Sequence, residues 1–175
     1  MEKTAPLSRP VVLRTAAICG VITALLCFLW VLFLYYTHNN PYGPKRTFSD
    51  FFPPIAAIVS QIWLRRYYDQ GPGLLKAIGV GVLTTLIAAA LAGVSLYMFA
   101  KNADPILIEE YLTEARQVII AAKPLYLKQP NGLQQHAAML KDLARTPAAF
   151  GVDEFFKKLV LGILVAIPVG VFLRK

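Results

Sequence analysis

The chain has 175 residues, of which 57% are apolar and only 16% charged. A soluble domain averages about 45–50% apolar and about 25% charged. The apolar excess is gathered into long uncharged runs, which excludes a soluble enzyme, a disordered chain and a secreted disulfide scaffold. Net charge is +8, from 18 Lys and Arg against 10 Asp and Glu. The basic residues flank the apolar runs, as in membrane proteins. No basic stripe with interleaved aromatics marks a nucleic-acid surface.

The first run, Thr15–Tyr36, holds 22 residues without a charge. A bilayer core of about 30 Å needs about 20 helical residues. Arg9 and Arg14 precede the run, and Trp30, Tyr35 and Tyr36 close it as an interfacial belt. It is too long for a signal peptide and lacks a cleavage site, so it is read as retained. Cys19 and Cys27 lie inside it and are read as small apolar filler.

The second run, Phe51–Leu64, is short for a span and carries Pro53, Pro54 and Gln61. Prolines are tolerated in a helix's first turn, where the missing N–H has no partner to lose. Arg65 and Arg66 can snorkel to headgroups, beside Trp63, Tyr67 and Tyr68. The third run, Ala77–Ala100, is the clearest span. The fourth, Leu159–Leu173, is extended by Phe155 and Phe156, with Lys157 and Lys158 expected to snorkel and Pro168 to kink it.

The expectation is therefore an all-α polytopic membrane protein, one membrane domain over 1–175. Its four spans fall at about 15–36, 49–68, 74–100 and 156–173, with a helical extramembrane loop at about 101–155. Four spans put both termini on one side. Lys3, Arg9, Arg14, Arg65, Arg66, Lys76, Arg174 and Lys175 share that side, against Lys45 and Arg46 on the first loop. The charge rule then makes both termini cytoplasmic.

The third loop, Lys101 to Lys158, carries 7 of the acidic residues. Asp104-Pro105 reads as a helix start, and the helix is expected to continue the third span. Leu107, Tyr111 and Val118 share a face with Ile108, Leu112, Ala115 and Ile119. Gln129-Pro130-Asn131-Gly132 marks a turn, a second helix runs over about Leu133–Arg145, and Thr146-Pro147 restarts the chain.

No span run contains a carboxylate, His or Lys of the kind ion-coupled transport leaves behind. Gln61 is the one costly polar group, a possible polar intramembrane site expected to bond within the bundle. His38 and His136 read as solvated loop residues, with no metal set and no haem ligand. No catalytic motif is present, so neither an enzyme nor a cofactor is expected. Small residues recur at helical spacing: Ala77, Gly81, Thr85, Ala89 and Gly93; Gly162, Ala166 and Gly170; Ala16, Gly20 and Ala24. Such stripes let helices approach closely in lipid. They serve either packing within the chain or a contact with another membrane protein.

Several landmarks carry a resemblance. Leu64-Arg65-Arg66-Tyr67-Tyr68-Asp69 leaves the second span, Gly73-Leu74-Leu75-Lys76-Ala77 and Gly81 open the third, and Asp104-Pro105 and Tyr111 follow. The chain ends in a proline-glycine span and Leu173-Arg174-Lys175. In these it resembles a bacterial inner-membrane family, common in the Bacteroidetes, catalogued as a domain of unknown function. The resemblance implies four spans and a helical third loop, and brings no activity with it; the proline-rich first loop fits it less well. The expected role is an accessory or assembly subunit of a membrane complex. The alternatives are a homo-oligomeric transporter or channel lined by Thr84, Thr85, Ser95 and Gln61, and a sensor whose third loop binds a ligand.

Overall fold

A computed structural model describes residues 8–143 and 146–174, with side chains from Val11 onward. Lys3, Lys175, the Arg9 side chain and Arg145, the expected end of the second loop helix, lie outside the described residues. Among those described, every regular element is helical.

Helix α1 spans Ser8–Tyr36. It ends in a left-handed cap at His38, φ 56°. There the His38 N–H donates to the Tyr35 carbonyl at 3.2 Å and the Asn39 N–H to the Leu34 carbonyl at 2.9 Å, the paired bonds that close a helix C-terminus. A 3-10 helix, Pro44–Phe51, follows and runs into α2, Phe52–Arg65. The change of helix type has a covalent cause. Pro53 and Pro54 have no N–H, so the carbonyls of Ser49 and Asp50 cannot receive the α-helical bonds that would extend α2 backwards. The Ser49 carbonyl instead accepts from Phe52 N, three residues on.

Gly71 and Gly73, with φ of 84° and 77°, turn the chain into α3, Leu74–Asn102. The Gly73 N–H donates to the Arg174 carbonyl at 3.1 Å, so the α2–α3 loop and the chain's end meet. Helix α4, Ile106–Ala121, does not continue α3 as expected. Ala103 is extended, φ −78° and ψ 165°, and the Asp104 carboxylate accepts from Ile106 N at 3.0 Å, a local turn that competes with the helix. Then come α5, Lys123–Tyr126, a turn with Asn131 at φ 60°, and α6, Gly132–Lys141. Helix α7, Pro147–Phe172, runs through Pro168. Its cap is the expected one, Thr146 Oγ1 accepting from Ala149 N at 3.2 Å.

Among the described residues three helices, not four, are long and apolar enough to cross a membrane: Val11–Tyr36, Leu74–Asn102 and Pro147–Phe172. Helix α2 has 14 residues, about 21 Å of rise, and falls short of the expected second span by itself.

Helix α3 is the hub, packed on α7, α1 and α2. The small-residue stripes make these contacts. A Cβ on Gly93 would stand 2.7 Å from the Gly151 carbonyl oxygen, and one on Gly151 2.9 Å from that of Gly93. Gly162 abuts Thr85, Gly170 abuts Ile78, and Gly81 abuts Gln61 and Ala166. On the other side Gly20 abuts Ile87, while Ala16 and Ala24 are buried, as are Ala77 and Ala89. All eleven stripe residues are therefore buried against neighbours within this chain. Thr84 and Thr85 are buried too, each donating to its own helix's carbonyl four residues back, at 2.7 and 3.0 Å.

A leucine at Gly93 should lower stability by about 1–3 kcal/mol through overpacking. Gly79 has open space around its missing Cβ, so Gly79→Leu should leave stability unchanged. Thermal unfolding of both variants in detergent checks the contrast.

Candidate functional site: a buried ion cluster beside the 3-10 helix

The buried positions of α7 include Phe150, Glu154, Lys158, Gly162, Ala166 and Gly170, every fourth residue. Lys158 and Glu154 thus belong to the same inward stripe as the small residues. Lys158 does not snorkel: its side chain is fully buried. It lies between the Gly151–Gly93 and Gly162–Thr85 contacts, opposite the middle of α3.

The ammonium has three N–H donors. It donates to Asp50 Oδ1 and to Ser49 Oγ, each at 2.8 Å, and forms an ion pair with Glu154 Oε1 at 3.0 Å. One turn nearer the loops, Arg46 Nη2 donates to Asp153 Oδ2 at 3.0 Å, and its Nε lies 3.5 Å from Glu154 Oε2. Lys157, half-exposed, pairs with Asp153 at 2.7 Å. Three cations and three carboxylates therefore balance within one cluster, all contributed by the 3-10 helix and α7. Helix α1 completes its lining: the Cys27 thiol approaches the Ser49 carbonyl at 3.8 Å, and Trp30 Nε1 donates to the Lys45 carbonyl at 3.1 Å.

Three buried polar atoms at this end have no hydrogen-bond partner: Arg46 Nη1, Glu154 Oε2 and Tyr42 Oη. Burial pushes the Tyr42 phenol up to about 12, against a smaller opposing pull from Arg46. Tyr42 stacks on Phe150 with ring centroids 4.5 Å apart, and Tyr111 of α4 meets Phe150 edge-on at 5.5 Å. Leu107 and Ile108 pack on the same core, and Asn40 Nδ2 donates to the Leu107 carbonyl at 2.8 Å. The charge cluster, the first loop and the foot of α4 are thus contiguous.

The other sequence-read polar residues lie apart from the cluster. Gln61 Nε2 donates to the Ala166 carbonyl at 2.7 Å, the bond within the bundle that was expected, and leaves Gln61 Oε1 without a partner. His136 is buried, not solvated: its Nε2 sits 3.1 Å from the Ile119 carbonyl and its ring packs edge-on to Tyr126. His38 is exposed and caps α1. Among the described residues no three of His, Cys, Asp and Glu gather as a metal site.

These features define an all-helical protein with membrane-length helices and a charge cluster locked inside its bundle. The chain belongs to the family described as protein of unknown function (DUF4199), whose match covers residues 18–175. No curated protein and no solved structure matches it.

Two results follow. Lys158→Met should cost about 3–5 kcal/mol, because it strands buried carboxylates without a counter-charge. Asp50→Asn should cost less in that background than alone, read as a double-mutant cycle in chemical denaturation. Tyr42 favours its neutral form in the fold. Its contribution is present below pH 10, the unfolded phenol's range, and is lost as pH rises toward about 12. Tyr42→Phe, which removes an unpartnered hydroxyl, should be near neutral at pH 7 and more stable than the parent at pH 11.

Proposed function

We propose that this protein is a small multi-pass protein of the bacterial inner membrane that serves as an accessory or assembly subunit of a membrane complex, without catalysis of its own. Its contact surface is the α4–α6 hairpin. The observation that carries this reading is the hairpin's uncovered apolar surface. No residue of α4 or α5 is buried. Val118, Ile120, Leu125, Leu127 and Leu133 are more than half exposed. Contiguous exposed apolar surface marks contact sites.

The hairpin is nonetheless preformed. Tyr126 Oη donates to Met139 Sδ at 2.6 Å, and the His136–Ile119 bond ties α6 to α4. Its foot stands on Tyr42 and Phe150, which the ion cluster holds in place.

The fourth crossing of this reading is composite. The 3-10 helix contributes about 16 Å and α2 about 21 Å, roughly 37 Å together, enough for a hydrocarbon core of about 30 Å. The pairing of Arg46 with α7 one turn before Lys158, and of Lys45 with Trp30, supports a 3-10 segment that descends along the bundle. Arg14, Arg65, Arg66, Lys76 and Arg174 stand at the end where α1 starts and α7 stops, while Arg46 is neutralised by its carboxylates. Both termini are therefore cytoplasmic.

One observation favours a second reading, ion-coupled transport. Ionisable residues inside a span beside a discontinuous helix mark many transport sites. The balanced charges and the small-residue packing around them weigh for a structural clasp instead.

Native mass spectrometry of the protein purified from its own host separates the two. The accessory reading expects a stoichiometric foreign subunit, lost on Val118→Ser with Leu125→Ser while thermal stability is kept. A lone monomer or homo-oligomer contradicts it. Ion flux in liposomes holding only this protein, abolished by Glu154→Gln, would establish the second.

A further inference from the structure

A groove of about 260 Å³ runs between α1 and α2. Cys19, Thr23 and Ala56 form its floor and are nearly buried; Ile22, Leu26 and Ile55 form exposed walls. The one hydroxyl in the floor is already used, since Thr23 Oγ1 donates to the Cys19 carbonyl at 2.7 Å. The groove's lining is otherwise almost wholly apolar. Past Val59 and Trp63 it meets a second hollow of about 250 Å³, which Arg66 lines.

Length and charge identify what fits. From Phe52 to Trp63, α2 rises about 16 Å, close to the roughly 15 Å of one leaflet of the hydrocarbon core. Trp63, at the junction, is the residue type that sits at a headgroup boundary. Arg66 is exposed and makes no ion pair among the described residues. Arg14, Arg65, Lys76 and Arg174 stand at the same end, where Asp69 is the one carboxylate among the described residues. A guanidinium at the mouth of an apolar channel one leaflet deep is matched by a phosphate on an acyl chain.

We propose that the α1–α2 groove binds one anionic phospholipid, its acyl chain along Thr23 and Ala56 and its phosphate on Arg66. The site rests on the reading that the chain crosses a bilayer. A carbonate wash of host membranes tests that first, and release of the protein would overturn the membrane reading before any lipid is added.

The lipid test is native mass spectrometry of delipidated protein, titrated with phosphatidylglycerol and phosphatidylethanolamine of the same acyl chains. One phosphatidylglycerol should be retained with roughly fivefold preference, the size expected for one charge contact at the membrane surface. Arg66→Gln should erase the preference and leave thermal stability unchanged. Ala56→Trp, which fills the floor, should reduce retention of both lipids; if that variant does not fold, Arg66→Gln decides alone. Equal retention of the two lipids by the parent, preference surviving Arg66→Gln, or full retention by a folded Ala56→Trp would each overturn the proposal.

Discussion

A lysine ammonium held in the middle of an apolar helix bundle is the constraint on which this structure turns. Its desolvation is tolerable only if every N–H is satisfied and the charge is matched. Lys158 is held by hydrogen bonds to Ser49 and Asp50 and by an ion pair with Glu154. Two of those partners lie on the 3-10 helix, so the requirement fixes where that segment sits. A run that begins with Pro44 and ends before Pro53-Pro54 has little helical stability of its own. The bond to α7 supplies what the local sequence does not.

From that bond the rest of the loop end follows. With the 3-10 helix fixed, Tyr42 lies flat on Phe150, and Asn40 meets the Leu107 carbonyl. Those contacts seat the foot of α4, and the hairpin above it turns apolar side chains outward. The lower half of the bundle has different physics. There Gly162, Ala166 and Gly170 let α7 lie close against α3 and α2, with dispersion and one Gln61 bond replacing charge. One helix therefore carries two kinds of adhesive on a single stripe, ionic toward the loops and steric toward the termini.

Much of this was legible from residue spacing. The long runs placed α1 and α3, Thr146-Pro147 placed the start of α7, and the small-residue stripes marked the faces that meet. The ion cluster was missed for a specific reason. Lys158 borders the Leu159–Leu173 run, and a lysine at the edge of an apolar run is ordinarily free to reach the surface. The corrective signal was present: the Gly162, Ala166, Gly170 stripe, continued backwards by fours, reaches Lys158, Glu154 and Phe150. What sequence spacing does not reveal is the partner, Asp50, which lies 108 positions away. The break between α3 and α4 and the burial of His136 were hidden likewise, the first in a local Asp104 turn and the second in a contact across the hairpin.

The Lys158–Asp50 pair thus holds the first loop and the α4 foot in place, while small-residue packing holds α3 on α7 independently. Hydrogen–deuterium exchange of the parent and Lys158→Met proteins in lipid nanodiscs tests it most directly. Exchange should be faster over residues 44–51 and 106–112 in the variant, with the amides around Thr85 and Gly162 still protected. Unchanged exchange over both loop segments, or uniform loss of protection through α3 and α7, would contradict it.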